Sequence, residues 1–306
     1  MNSVTKSAEL SDNDLAARLS DDIRTKLASE PGLSNFQRDK LQKDSKKNWD
    51  LFYKRNGDRF FKNRFWTRRE FCELFAECET VAKVSTSKRF LLEVGCGCGN
   101  FALPLLDKSN SDKKPEDAAQ LPSDLVIYCC DISDKAIEIL SSNSVFLVNS
   151  PQRIQAFVAD ITAPDAVEQQ LEKKLGQNKM DFVSLIFVLS ALDPNQMGQA
   201  ITNLERVLKP NGMVLFRDYA IYDTAMLRFS EKSKICDQFY VRQDGTRAYF
   251  FSKDQLIKLF EQFNFQCQSI SYVQSETVNK ATNNRFSRVF LQAKFLKKNM
   301  VISQEM

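Results

Sequence analysis

Apolar residues recur along this chain in two rhythms. Short continuous runs, the mark of strands buried on both faces, alternate with stretches of helical spacing. The runs Phe90–Val94, Leu125–Cys130, Ile154–Val158, Phe182–Leu189 and Met213–Arg217 predict five strands. Helices are predicted from near Asn100, over Asp134–Asn143, over Ala166–Leu175, and over Asn195–Leu208 with Pro-Asn-Gly at its exit. Strands and helices alternating at this spacing imply a parallel sheet covered on both faces. Tyr240–Arg242 and Arg247–Phe251 flank Asp244-Gly245, a hairpin signal, and a helix follows over Lys253–Phe263. Gln266–Val273 and Arg288–Phe295 add two strands, giving an α/β, Rossmann-like domain with a seven-stranded, mostly parallel sheet and helices on both faces.

Upstream, Leu15, Leu19, Ile23 and Leu27 stand at helical spacing in a polar segment, predicting a loosely held, fraying helix within a flexible 1–35 segment. Residues 36–84 read as a basic, aromatic helical extension whose last helix covers Arg69–Val84; the main domain is 85–298, with the hairpin near 239–251, and 299–306 is a tail. Lys108–Asp124 reads as a mobile surface insertion.

Charge changes the picture in one place. Phe36–Arg69 holds twelve Lys or Arg against four Asp, net +8, while the whole chain is +4, so the remainder is net acidic. Trp49, Phe52, Tyr53, Phe60, Phe61, Phe65 and Trp66 are interleaved with those cations, a pattern suited to stacked bases and phosphates, with packing of the aromatics on the main domain as the alternative. Arg55, Arg59, Arg64 and Trp66 are the candidate RNA contacts. Histidine is absent, which removes any mechanism needing an imidazole base, a Ser-His-Asp triad or His-ligated zinc. No two of the eight cysteines are spaced C-x-x-C, so no metal site is expected. The longest nearly apolar run, Val183–Leu192, is about half of the roughly 20 residues a membrane-spanning helix needs, and the amino terminus carries too many acids for a transit peptide. A soluble, cytoplasmic or nuclear protein without membrane partners is expected.

Chemistry concentrates in Glu93-Val-Gly95-Cys-Gly97-Cys-Gly99-Asn100, between a predicted strand and a predicted helix. Three glycines let backbone approach a ligand closely, but the G-x-G-x-G spacing differs from the G-x-G-x-x-G of dinucleotide folds, which disfavours a nicotinamide oxidoreductase. A carboxylate at Glu93 repels pyrophosphate and favours an ammonium or sulfonium, and S-adenosylmethionine carries both. Whether Glu93 touches the ligand or braces the loop stays open. Asp131 follows the second strand, where a carboxylate accepts ribose hydroxyls, and Asp160, with Ile161 beside it, follows the third, where an acid accepts the adenine amine. A helix cap is the alternative for each acid alone.

Several long strings resemble the tRNA 3-methylcytidine methyltransferases, from about Asn48 to Lys298. They are Asn48-Trp-Asp-Leu-Phe-Tyr-Lys54, Leu92-Glu-Val-Gly-Cys-Gly97, Leu185-Ile-Phe-Val-Leu-Ser-Ala191, Leu215-Phe-Arg-Asp-Tyr219 and Phe239-Tyr-Val-Arg-Gln-Asp-Gly-Thr-Arg247. Cys98 replaces a more usual aliphatic residue, Asp193 stands where histidine is common, and the 108–124 insertion is longer than typical. The resemblance implies a class I methyltransferase that uses S-adenosylmethionine to methylate N3 of a cytidine at position 32 of the anticodon loop. It is nearest the branch acting on serine tRNAs, which works with seryl-tRNA synthetase. Trp49 and Tyr53 are implied as a lid over the cofactor, with Phe187 in the same site. Phe187, Ser190, Ala191, Arg217, Asp218 and Tyr219, just past the fourth and fifth strands, are candidates for the base pocket. Asp218 is assigned to the cytosine amine or the cationic product, and Arg217 to phosphate or to bracing, with an Arg217–Asp218 structural network as the alternative. Arg242, Asp244 and Arg247 are implied near the RNA, with a solvated hairpin as the alternative. A methyltransferase of the same fold acting on a protein or small molecule, and a non-catalytic RNA-binding protein, are the rival functions.

Overall fold

The computed structural model describes residues 4–7, 10–75, 88–107, 124–176, 179–278 and 285–299. The described residues form eleven strands: β1 (Val4–Ser7), β2 (Arg89–Val94), β3 (Leu125–Asp131), β4 (Ile154–Val158), β5 (Met180–Ile186), β6 (Leu208–Tyr219), β7 (Lys234–Cys236), β8 (Phe239–Val241), β9 (Arg247–Tyr249), β10 (Phe265–Val278) and β11 (Arg285–Lys297). The seven expected strands lie in one sheet ordered β1-β10-β11-β6-β5-β2-β3-β4, with the short β1 added at one edge. β2 pairs in parallel with both β3 and β5, and β3 in parallel with β4. The chain thus runs outward from β2 to β4, then crosses back to lay β5 against the other side of β2. That reversal leaves a crevice at the carboxyl ends of β2 and β5, where ligands of open α/β sheets bind.

Burial explains the strand sequences. All seven residues of β3 are buried, as a strand covered on both faces requires, whereas the edge strand β4 mixes buried and half-buried positions. The helix Asp134–Ser141 starts under a Ser133 cap and the helix Ala166–Leu175 ends at Gly176 in the left-handed region, so local chemistry sets both ends. Strand β5 stops three residues before the expected Leu189, because Phe187 takes φ +61° and a 3-10 turn follows over Leu189–Ala191. The hairpin β8–β9 gains β7 as a third strand. Of the expected Arg69–Val84 helix only residues 69–75 are described, and there the chain ends a short helix, Thr67–Glu70, and forms a 3-10 turn at Cys72–Leu74. Of the 108–124 insertion, residues 108–123 lie outside the described residues. Among the described residues no helix is long and apolar enough to cross a membrane.

By contact the chain forms two compact units: Met1–Asn48, Phe187–Gly198 and Phe216–Phe295 make one, and Trp49–Ile186, Gln199–Leu215 and Leu296–Met306 the other. Within the first, the amino-terminal segment is not the frayed helix expected. It forms two short helices, Asp12–Ala16 and Asp21–Leu27, capped by Ser11 and Ser20. Lysines bolt it down: Lys26 Nζ donates to the Leu227 carbonyl at 2.9 Å, Lys253 Nζ to that of Leu10 at 2.7 Å, and Lys234 Nζ to those of Leu27 and Ser29. Leu15 is 2% exposed. The expectation failed because these partners lie about 200 residues downstream, beyond the reach of local periodicity. Leu15→Ala is therefore expected to cost about 2–4 kcal/mol of stability by cavity formation. Urea unfolding with an unchanged midpoint would show the segment to be undocked.

Candidate active site

In the unit containing β2, the glycine loop folds back over the carboxyl ends of β2 and β3. Gly95, Gly97 and Gly99 all take positive φ, at 60°, 52° and 82°. At Gly97 a Cβ would lie 2.5 Å from the Tyr53 hydroxyl, and at Gly99 it would lie 2.6 Å from Leu140, so both positions need the missing side chain as well as the backbone freedom. The Gly97 N–H donates to Asp131 Oδ2 at 2.9 Å, and the Ser133 N–H to Asp131 Oδ1 at 2.9 Å. Asp131 is 7% exposed, and burial pushes its carboxyl up to about 6 despite those amides. A carboxylate has acceptor sites beyond the three amides of Gly97, Ser133 and Ile132, so a further hydroxyl donor would relieve this deficit.

Glu93, 4% exposed, receives the Cys129 thiol at Oε2 (3.7 Å) and the Ala102 amide, and burial pushes its carboxyl up to about 8. Its contacts are those of a brace beneath the loop. Asp160 Oδ1 accepts from the Thr162 N–H and hydroxyl, at 2.8 and 2.7 Å, closing a turn at the end of β4 and leaving Oδ2 without a partner among the described residues. The next residue, Ile161, is buried, and its carbonyl accepts from Asn203 Nδ2 at 2.7 Å. Asn100 is occupied by protein: its Nδ2 donates to the Phe61 carbonyl and to Asn63, and its carbonyl accepts from the Arg64 N–H.

The helix Ser45–Asn56 supplies the cover. Trp49 and Tyr53 stack at 6.0 Å, and Tyr53, 5% exposed, meets Gly97 as above. What fastens this helix is Asp50, a residue the sequence analysis missed. Its Oδ1 accepts from the Ser133 hydroxyl at 2.6 Å and the Lys135 N–H at 3.3 Å, at the exit of β3. The signal was an acid between Trp49 and Tyr53, too common on a helix to stand out. The aromatics of the basic segment mostly pack on one another, Phe52 meeting Trp49, Tyr53, Phe60 and Phe61 at 4.9–5.5 Å. Arg55 and Arg59 are exposed, and Arg64 is half-buried. Trp66 is half-buried, edge-on to Phe71 and packed against the core.

The other unit holds a second cluster. Asp218 is fully buried and accepts the Ser190 and Tyr219 amides, each at 2.9 Å, together with the Ser190 hydroxyl. Burial pushes it up to about 6, against the pull of those donors and of Arg242. Alternation along β6 sends Arg217 and Tyr219 to the face opposite Asp218. Arg217 donates to Gln292 Oε1 at 3.1 Å and lies 5.4 Å from the Phe290 ring. Phe187, Tyr219 and Phe290 form an aromatic group with centroids 5.1–6.3 Å apart, and Arg242 and Arg288 lie over Tyr219 at 5.6 and 5.8 Å. Arg288 is held by the fully buried Asp223 at 2.9 and 3.1 Å. Arg288 and Phe290 were missed; their alternate positions on β11 were the available signal. Arg242 Nη1 donates to the Arg247 carbonyl and to Thr246, and Asp244 closes the turn through the Thr246 amide and hydroxyl. Arg247 departs from an RNA-facing role. It is 4% exposed, ion-paired with Asp193 at 3.7 Å and bonded to Gln42 and Ser45, because its own strand packs beneath the amino-terminal segment.

Among the described residues no group of three or more side chains is placed to hold a metal ion. A methyltransferase-domain family model matches residues 38–270. The tRNA N(3)-cytidine methyltransferase METTL6 of Homo sapiens is 42% identical over 265 residues, covering 87% of this chain and 84% of that protein. The tRNA(Thr) (cytosine(32)-N(3))-methyltransferase of Saccharomyces cerevisiae is 36% identical over 247 residues, 81% of this chain and 36% of that protein. The crystal structure of a SAM-dependent methyltransferase from Anabaena variabilis shares the fold, with a TM-score of 0.54 at 13% identity over 89% of this chain and 98% of that one. The chain therefore belongs to the S-adenosylmethionine-dependent methyltransferases, within the family of tRNA N(3)-cytidine methyltransferases.

Proposed function

We propose that this protein transfers the methyl group of S-adenosylmethionine to N3 of cytidine 32 in the anticodon loop of serine tRNAs, in the cytoplasm or nucleus, with seryl-tRNA synthetase as partner. The yeast relative's name supports the nucleotide position, and the resemblance to the serine-acting branch supports the tRNA and the partner. The observation that carries the chemistry is a buried carboxylate, Asp218, near the end of β6, whose neighbour Tyr219 joins Phe187 and Arg242 in an aromatic and cationic group, in a chain without histidine.

Neutral cytosine already bears a lone pair on N3, and its methylated product is a cation, so no general base is needed. Catalysis reduces to alignment, exclusion of water and placement of negative charge where positive charge develops. Asp218 supplies that charge or accepts the exocyclic amine. Phe187 and Tyr219 offer planar surfaces to an unstacked base, with Ser190 orienting the carboxylate and Arg217 holding the strand face. S-adenosylmethionine would supply the electrophilic methyl when bound; Gly95 and Gly97 would admit it, Asp131 would accept from its ribose hydroxyls, Asp160 and Ile161 would hold adenine, and Trp49 and Tyr53 would cover it. Arg55 and Arg59 contribute exposed charge for phosphate.

Mass spectrometry of nucleosides from serine tRNA incubated with the protein and cofactor is expected to show 3-methylcytidine, in higher yield when seryl-tRNA synthetase is added; its absence with and without the synthetase would refute the assignment. Asp131→Ala is expected to weaken cofactor binding by about 1–3 kcal/mol through lost charged hydrogen bonds, read by calorimetry. Asp218→Ala should leave that binding unchanged and lower turnover by about 100-fold or more, and retained turnover would remove it from catalysis. Both carboxyls are raised from 3.8 to about 6, so each is ionised at neutral pH and protonated below it. Cofactor affinity and kcat are each expected to fall as pH drops from 7 to 5. A pH-independent kcat at saturating cofactor would argue against a charged Asp218.

A further inference from the structure

The helix Asp134–Ser141 begins, like any helix, with amide groups that have no acceptor inside it. Its own cap, the Ser133 hydroxyl, accepts from the Ala136 N–H at 3.1 Å. Asp50, 83 residues before Ser133, supplies a second cap from outside the helix: its Oδ1 accepts from the Lys135 N–H at 3.3 Å and from the Ser133 hydroxyl at 2.6 Å. A carboxylate in that place also meets the positive end of the helix dipole. Ser133 therefore acts in three directions, since its amide donates to Asp131 Oδ1 at 2.9 Å as well. One residue joins the carboxylate assigned to the ribose to the acid that fastens the cover.

The remaining contact is apolar. Phe52 and Tyr53 are buried with Cys98 and Ala136, and Trp49, Phe61 and Ile139 pack against them. Packing of this kind is non-directional and does not by itself choose one seat. Hydrogen bonds are directional, so the two bonds of Asp50 select the seat in which the Tyr53 hydroxyl closes on Gly97. With Tyr53 5% exposed in that seat, a ligand under it cannot leave until the seat is given up.

We propose that Asp50 is the latch of the cofactor site: its bonds to Ser133 and Lys135 hold Trp49 and Tyr53 over the glycine loop, and they break each time spent donor is exchanged for fresh. The inference rests on the cofactor assignment above. Asp50 touches no reacting atom; it is a positioning residue that sets how long the donor stays.

Stopped-flow release of S-adenosylhomocysteine reads the latch directly. Asp50→Ala is expected to release it about 10-fold faster, through loss of two bonds to a charged acceptor. The KM for S-adenosylmethionine should rise in step, while kcat with tRNA falls by far less. Asp50→Asn keeps an acceptor oxygen and should bring release back to within about threefold of the wild type. Ser133→Ala removes the hydroxyl from the other side of the bond, leaves Asp50 and the Ser133 amide in place, and should quicken release too. Unchanged release in any folded variant that loses the bond, or an Asp50→Asn protein as fast as Asp50→Ala, would overturn the proposal alone; a wild type that binds neither form of the donor would overturn the cofactor assignment with it.

Two further readings separate a latch from a merely structural acid. Trp49 and Trp66 are the two tryptophans of the chain, so in a Trp66→Phe background the fluorescence reports Trp49. Without ligand, acrylamide should quench it several-fold more strongly once Asp50→Ala is added, and equal quenching would overturn the proposal. The charge of Asp50 also helps to raise the Asp131 carboxyl, while Tyr53, Glu93, Cys96 and Cys98, the other titratable groups around it, are the same in both proteins. Asp50→Asn removes a negative neighbour, so its loss of cofactor affinity on acidification should move to lower pH. A loss at the same pH would place Asp50 away from Asp131 and overturn the proposal.

Discussion

The hydrogen bond from the Gly97 amide to Asp131 is the joint on which the cofactor region depends. It ties the loop after β2 to the end of β3, two strands already paired in parallel, so the bend cannot open without unpairing a buried carboxylate. The neighbouring bond from the Cys96 amide to the Cys130 carbonyl extends the same pairing one step past β2. Because Gly97 has no Cβ, the Tyr53 hydroxyl closes onto it, and because Ser133 follows Asp131, its hydroxyl is available to Asp50. One backbone contact thus decides where the loop sits, where the covering helix docks, and which way the strand-end carboxylate points.

The parts of this structure that were legible in sequence are those in which burial acts on successive residues. β3 and β4 were readable to within a residue, since a strand buried on both faces leaves an uninterrupted apolar run. The helix Ser144–Asn149 was not, because its exposed Leu147 and Val148 break the amphipathic pattern that the neighbouring helix obeys. β5 ended early at Phe187, since an apolar run carries no mark of the residue whose φ turns positive. In the site, the glycines and Asp131 were legible as motif, and Asp218 as a strand-end acid. Asp50, Asp223, Arg288 and Phe290 were not, because each acquires meaning only from a partner far along the chain.

The basic segment shows how two readings of one pattern divide between side chains. Aromatic residues lose more by exposure than arginine or lysine heads lose by remaining in water, so Phe52, Tyr53 and Trp66 turn inward while Arg55, Arg59, Lys62 and Lys54 stay out. The outcome is a positively charged outer surface on an aromatic base that covers the glycine loop. Arg247 obeys the opposite rule, buried because Asp193, Gln42 and Ser45 supply acceptors that water would otherwise provide.

Glu93 and Asp131 lie near one another, equally deprived of solvent, yet one is pushed to about 8 and the other only to about 6. The difference follows from donors. Asp131 caps the bend and receives the amides of Gly97, Ser133 and Ile132, each of which favours the charged form; Glu93 sits one strand inward, where neighbouring amides are committed to the sheet, and obtains Ala102 and a thiol. A carboxyl at a strand end is thus made an acceptor by the unpaired amides of the turn beyond it, and one within the strand is held as an acid. The same sheet that orders the backbone therefore sorts its two acids at neutral pH, leaving charge at Asp131 and withholding it from Glu93.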